Sequence, residues 1–471
     1  MLFPTIEFAV FFAVVFPITW LLNAHYTWKK VFLVAASYYF YAAWRPEFTL
    51  LLLVSSVFNY GAALLIDRFK GRARLAVLWA AVAANLGLLG YFKYYNFFAA
   101  SLMNAFAAFG VKVGIGFIEV ALPIAISFLT FHALSYIIDV YRRVLAPTRS
   151  LLDIMFYIGF FPHLIAGPIV RANKFLVQTV GPRDPANIRL GQSVFLILGG
   201  LFKKVVIANY LSTGFVDGVF RDPAANSSLD LIFGMYAYAL QIYCDFSAYT
   251  DIAIGIANLL GYEFPQNFNY PYRAVSVQDF WRRWHMSLSS WLRDYLYMPL
   301  GGSKFGTLAT CRNIMITMAL GGLWHGASWA FLIWGSLHGL ALVIERLLGV
   351  TGEHGAKKRG TFATVLGWLV TTQFVCLAWV FFRAPSTDAW LGYFATMFSG
   401  RSWSTSMTPF VAAICVLGAL SHILPPRWFV TLEKRYDEAS LPVKVLVPFV
   451  VIYLISVAAP AGIAPFIYFQ F

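Results

Sequence analysis

Residues 313–344 form a stretch of 32 positions without a single Asp, Glu, Lys or Arg. A run of that length and polarity has few options. In lipid every backbone amide must bond within its own segment, and an apolar run of about 20 residues does so as a helix. Shorter apolar runs, several with one or two charges, recur at 6–22, 31–44, 48–66, 75–98, 118–140, 190–211, 231–260, 362–382, 408–424 and 443–459. Only 12% of the chain is charged, about half of what a soluble domain carries. The sequence therefore predicts an all-α polytopic membrane protein of about eleven spans with re-entrant and interfacial pieces. It forms a single membrane-embedded domain over residues 1–471.

The net charge of +14 would point to nucleic acid in a soluble protein. Here the cations sit in short clusters between apolar runs: Lys29 and Lys30; Arg68, Lys70, Arg72 and Arg74; Arg142 and Arg143; Lys357, Lys358 and Arg359; and the loop 427–435. That distribution sets membrane orientation and speaks against a nucleic-acid partner. Cys244, Cys311, Cys376 and Cys415 show no C-x-x-C spacing and read as packing residues, not a disulfide or metal framework. The first run lacks a basic n-region, carries Glu7 and reads as a retained first helix.

Three stretches depart from simple spans. Residues 154–170 hold two prolines and two glycines and predict a broken or re-entrant segment, with His163 satisfied by a freed carbonyl. Along 231–260, Ser247, Asp251 and Asn258 share one helical stripe, and Asp245 and Tyr249 form an i, i+4 pair. Carboxylates there should face the bundle interior. In the run before it, Lys203 and Lys204 should snorkel or line a polar cavity. Residues 261–312 interleave aromatic and basic side chains, as interfacial helices do, and are the place to receive an anionic cytoplasmic ligand.

The chemistry centres on Gly321-Gly322-Leu323-Trp324-His325-Gly326. An imidazole at membrane depth is a functional hypothesis by default, and the flanking glycines loosen the helix around it. Transfer of an acyl group to a hydroxyl needs a base for the departing proton, and imidazole titrates near the working pH. The alternative is an interior histidine that bridges two helices. His285 follows Trp281, Arg282, Arg283 and Trp284. The adjacent cations should disfavour its protonated form, leaving a neutral ring to polarise a carbonyl or orient an acceptor. Its alternative is an interfacial anchor. Arg273, Arg282, Arg283, Arg293, Lys304 and Arg312 face only Asp279 and Asp294. They could grip the phosphates of coenzyme A or a phosphopantetheine arm, or they could simply set topology. On one continuous helix His338 would lie about 220° round from His325 and reads as structural. Walker, G-x-G-x-x-G, G-x-S-x-G and H-E-x-x-H motifs are absent.

Several of these residues fall in longer words: Phe160-Phe161-Pro162-His163-Leu164-Ile165-Ala166-Gly167-Pro168-Ile169-Val170-Arg171; Asp245-Phe246-Ser247-Ala248-Tyr249-Thr250-Asp251; Phe280-Trp281-Arg282-Arg283-Trp284-His285; Trp291-Leu292-Arg293-Asp294-Tyr295; Pro299-Leu300-Gly301-Gly302; and the Gly321–Gly326 stretch. In this order they resemble the membrane-bound O-acyltransferase family, in its bacterial alginate-acetylation and D-alanyl-transfer branch, with wording nearer the alginate type. The resemblance implies a funnel-shaped fold with a thin floor at the site. It implies that His325 and His285 are the catalytic histidines, with Trp281, Arg282, Arg283, Trp324, Asp245 and Asp251 binding substrate. It also implies an acyl thioester donor such as acetyl-coenzyme A on the cytoplasmic side, and no bound cofactor or metal. A periplasmic or extracellular acyltransferase partner would pass the group to a polysaccharide, from the bacterial inner membrane. Acetyl is named by the resemblance alone. A transporter or flippase with intramembrane polar sites stays open, although no repeat of the kind such proteins carry is present. So does a non-catalytic subunit of a polysaccharide export complex.

Overall fold

The computed structural model describes residues 1–471 except 120, 351–359, 385, 403, 461, 463–464 and 467–471. The basic cluster Lys357, Lys358 and Arg359 lies outside the described residues, as does most of 462–471. The described residues are helical, with no strand among them. They form two compact units, Met1–Ile188 with Ile256–Pro265, and Arg189–Gly255 with Gln266–Phe471.

The first unit holds α1 (Ile6–Leu21), α2 (Tyr26–Ala42), α3 (Thr49–Arg68), α4 (Gly71–Leu89), α5 (Tyr95–Ala108), α6 (Ile126–Tyr141) and α7 (Leu151–Gly159). Local chemistry fixes several starts. Thr5 and Ser150 cap α1 and α7 through their hydroxyls, and Pro46 opens the turn ahead of α3, where its missing amide costs nothing. α3 packs on α4, α6 and α7, and nearly all of α6 is buried. The stretch 154–170 is broken as its prolines and glycines predict: α7 stops at Gly159, one turn follows over Phe161–Leu164, and irregular chain leads to Arg171. His163 Nε2 bonds the Tyr157 carbonyl at 2.9 Å. A methyl on Gly167 would sit 2.5 Å from the His163 Cα, so only glycine lets the chain cross there.

Lys29 and Lys30 are not the exposed turn the sequence suggests. Both are buried within α2. Lys30 pairs with Asp153 at 2.5 Å, and Lys29 donates to Asn23 Oδ1 at 3.0 Å and lies over the Trp20 and Tyr262 rings. A carboxylate in one case, and an amide with two ring faces in the other, stand in for water.

The second unit begins with α8 (Leu190–Phe202), which continues through a π-helical turn (Lys203–Ala208), Asn209–Leu211 and a second π turn (Ser212–Val216). Beside it runs α9 (Ser228–Leu259), whose last turn belongs to the first unit. Two short helices follow, α10 (Val277–Trp281) and α11 (Met286–Leu292). Then come α12 (Gly306–His325), α13 (Trp329–Leu347), α14 (Thr361–Arg383), α15 (Thr387–Phe398), α16 (Pro409–Ile423), α17 (Pro426–Glu438) and α18 (Leu441–Val457).

The charge-free run 313–344 is thus two helices, not one. α12 ends at His325, Gly326 is extended, and Ser328 caps α13 by accepting from the Phe331 amide. The arms fold back on each other along a glycine seam. A methyl on Gly322 would lie 2.3 Å from the Phe331 carbonyl oxygen, and one on Gly335 would lie 2.2 Å from that of Met318. The charges that bound this run lie inside the arms, Arg312 within α12 and Arg346 within α13.

Among the described residues five helices are long and apolar enough to cross a membrane, or six if α16 and α17, bent by 84°, count as one. Three shorter apolar helices, α1, α6 and α18, accompany them. The expectation of about eleven rests on counting apolar runs, and three of those runs give helices of only 16, 16 and 17 residues, α1, α6 and α18. The basic stretch 427–435 is helix α17, not a loop.

Candidate active site

The turn that carries His285 is held from several directions. Ser276 caps α10 through the Asp279 amide, and the amides of Val277 and Gln278 donate to the Glu345 carboxylate at 2.5 and 2.9 Å. Those bonds tie α10 to α13. After Trp281 the chain reverses, and His285 adopts a left-handed conformation with φ +43°. That region is uncommon for residues other than glycine and is kept where surrounding structure over-determines it. Here the Asn267 side chain accepts from the Ser287 amide at 3.1 Å and its hydroxyl at 2.9 Å, while the Asn267 carbonyl accepts from Met286 at 2.9 Å.

The His285 ring is completely buried, and neither ring nitrogen has a hydrogen-bond partner among the described residues. Phe246 of α9 meets it edge-on at 4.7 Å. Burial pushes its pKa down to about 3, so the ring is neutral. The direction is the one expected from the sequence, but the cause is desolvation, not the adjacent cations. Arg283 turns to Asp279 instead.

His325 closes α12 and is also buried, at 4% exposure. Trp324, Trp334 and Phe382 surround its ring at 5.0, 5.1 and 5.2 Å. The two imidazoles lie 6.4 Å apart, with Trp324 at 6.0 Å from His285. His338 does not sit remote from them. The break at Gly326 puts it on a second arm, where Trp334 packs on both His325 and His338, the latter at 4.9 Å. Trp281 Nε1 donates to His338 Nδ1 at 3.3 Å. The angle drawn on one continuous helix does not apply.

Beside this cluster lies a cleft of about 540 Å³ whose walls include Trp281, Arg282, Met286, Arg293, Thr317 and Arg346. It reaches the residue next to His285, and neither imidazole forms part of its lining. Of the six cations that the sequence groups, Arg282 and Arg293 face it. The others are placed elsewhere. Arg273 donates to the carbonyls of His422 and Leu424 at the end of α16, Arg283 pairs with Asp279, Arg312 bonds the Asn313 side chain, and Lys304 is exposed. Arg293 also pairs with Asp294 at 2.7 Å.

Asp245 and Asp251 are held by the lysines that the sequence leaves to snorkel. Lys204 meets Asp245 at 2.7 Å and Lys203 meets Asp251 at 2.5 Å. The structure therefore gathers His285, His325 and Trp324, places Trp281 and Arg282 in the adjoining cleft, and sets Arg283, Asp245 and Asp251 in ion pairs. Sequence reasoning assigns no role to Trp334, Phe382, Glu345 or Arg346. Trp334 stands one turn before His338 in the charge-free run, a spacing that offers a signal.

The family model described as the membrane-bound O-acyltransferase family matches residues 142–382. The chain is similar to a probable alginate O-acetylase of Pseudomonas aeruginosa, 42% identical over 384 residues that cover 80% of this chain and 71% of that protein. It is 39% identical over 391 residues to a peptidoglycan O-acetyltransferase of Helicobacter pylori, covering 76% and 72% respectively. A teichoic acid D-alanyltransferase of Bacillus subtilis is 29% identical over 280 residues, 55% of this chain and 68% of that protein.

Proposed function

Because the chain belongs to the membrane-bound O-acyltransferase family and is thus a multi-pass membrane O-acyltransferase, we propose that it carries acetyl groups from a cytoplasmic thioester to the hydroxyls of an extracytoplasmic polysaccharide. Acetyl is supported by the O-acetylase and O-acetyltransferase names of the relatives at 42% and 39% identity. Those names, alginate in one case and peptidoglycan in the other, support a surface or cell-wall polysaccharide as the acceptor. The protein sits in the bacterial inner membrane, and a periplasmic acyltransferase completes delivery.

The observation that carries this reading is the pair of buried imidazoles 6.4 Å apart next to a cleft rimmed by arginines. The donor occupies the cleft, its phosphates met by Arg282 and Arg346 and its arm running along Trp281. His325 takes the proton of the attacking hydroxyl. The new C–O bond forms at the thioester carbonyl carbon, the C–S bond breaks, and the proton passes to the departing thiolate. His285, neutral, donates an N–H to the carbonyl oxygen as charge builds there. The aromatic walls exclude water, which strengthens both interactions.

The test is transfer of labelled acetyl by purified protein in lipid nanodiscs, with acetyl-coenzyme A as donor. Label should leave the thioester with the natural protein and remain there with His325→Ala of equal melting temperature. Label that stays on the thioester with the natural protein, even when periplasmic extract is added, rules the reading out.

A further inference from the structure

α8 and α9 lie side by side along a stretch bracketed by two ion pairs. At one end Lys204 meets Asp245, next to the Phe246 ring that packs on His285. At the other, Asp217 pairs with Arg383 at 2.9 Å and accepts from Ser212 Oγ at 2.8 Å. Arg383 follows Phe382, which packs on His325. The two helices also meet just beyond each end, where Gly200 faces Ala248 and Ile252, and Gly234 faces Val219.

Three polar side chains fall within the bracket. Asn209 is completely buried, and neither its Nδ2 nor its Oδ1 has a partner among the described residues. Tyr238 is completely buried with its hydroxyl likewise unpartnered, within electrostatic range of Asp217, Asp245 and Arg383. Gln241, one turn before Asp245, is 6% exposed with Oε1 unpartnered. The backbone is unusual at the same place. Asn209–Leu211 lies between two π-helical turns, and such turns are rare and collect at functional sites.

Buried polar groups without partners destabilise a fold, and native proteins keep few of them, each for a reason. Here two amides and a phenol offer donors and acceptors along one stretch, and the charges at its ends are already paired. That combination suits a neutral, hydroxyl-bearing ligand better than an anion or an acyl chain. The donor cleft comes within one residue of His285, at Met286, whereas this stretch neighbours Phe246 and Phe382, which pack on the two histidines.

We infer that the bracketed stretch of α8 and α9 binds the hydroxyl-bearing acceptor, with Asn209, Tyr238 and Gln241 supplying its hydrogen bonds. The inference rests on the transferase reading and names the acceptor's side of that site. The test uses cellotriose as a neutral acceptor and labelled acetyl-coenzyme A as donor, and reads acetylated trisaccharide and free acetate separately. Asn209→Leu should cut transfer to cellotriose about tenfold through a raised KM while release of acetate to water stays unchanged. Its melting temperature should not fall, because an apolar side chain of similar size replaces an amide that has no partner. Tyr238→Phe should act in the same direction. Unchanged transfer in both variants overturns the inference. So does a lower melting temperature with both products reduced together, which would make the amide structural. A natural protein that consumes no thioester defeats the transferase reading itself, and the acceptor site with it.

Discussion

The rings of His285 and His325 stand 6.4 Å apart, one on a left-handed turn and the other on the last residue of a helix. Neither position depends on the other's backbone. The pair is assembled by α10 docking on α13 through Glu345 and by α12 folding back on α13. Each histidine can therefore be replaced without removing the support of its partner.

His325→Ala should lower acetyl transfer by about 100-fold or more, the usual loss for a general base, with little change in melting temperature. Single-turnover assays in nanodiscs measure the first, and thermal denaturation the second. A variant that fails to fold would make His325 a structural bridge between helices.

His285 offers a pH test. Its folded pKa of about 3 lies below the ordinary 6.5, so between those values the unfolded chain binds a proton that the folded one does not. Stability should fall as pH drops through that window, by up to about 1.4 kcal/mol per pH unit, and be free of this contribution to slope above it. Melting temperatures of the natural protein and of His285→Asn, measured from about pH 4 upward, should diverge in that sense. Asparagine tolerates the left-handed turn, so the variant should fold and lose transfer about tenfold or more.

Arg282→Gln and Arg346→Gln should each raise KM for acetyl-coenzyme A about tenfold, an effect that weakens as salt is added. Arg283→Gln should leave that KM near its natural value, because its guanidinium already meets Asp279. Equal effects at Arg282 and Arg283 would argue that general charge, not the cleft, attracts the donor.

Gly322→Ala should destabilise the protein by about 1–3 kcal/mol, as overpacking does, since the added methyl meets the Phe331 carbonyl oxygen at 2.3 Å. Denaturation in detergent reads this directly. A neutral substitution would mean that the two arms of the hairpin can separate at no cost.

Asp245→Asn leaves Lys204 charged and buried, and should cost about 3–5 kcal/mol. Pairing it with Lys204→Met should restore much of that loss. A double variant that is stable but slow would assign the ion pair to the placement of Phe246 against His285.

Much of this architecture can be read from the chain. Charge-free runs impose helices, and the prolines and glycines of 154–170 impose the break. The Gly-Gly-Leu-Trp-His-Gly word marks both the end of α12 and the residue of greatest chemical interest. Side-chain partnerships across helices are less legible. Nothing in the periodicity of α8 says that Lys203 and Lys204 will meet Asp251 and Asp245, because the pairing is made across two helices and falls where the first π turn begins. Lys29 and Lys30 follow the composition of a cytoplasmic turn and yet are buried, since Asp153, more than a hundred residues away, supplies the counter-charge for Lys30. The sequence misplaces His338 for a related reason: an angle on a helix has meaning only while the helix continues.

The hairpin also acts as a ruler. Trp334 marks the level of His325, and Arg346 lies twelve residues further along α13, roughly 18 Å at the helical rise. A donor gripped by its anionic end at that rim can present its acyl carbon to the histidines only if its tether spans such a gap. On that reading compact activated acids such as acyl phosphates would fall short, and the length of one helix arm would select among donors before any side chain reads their chemistry.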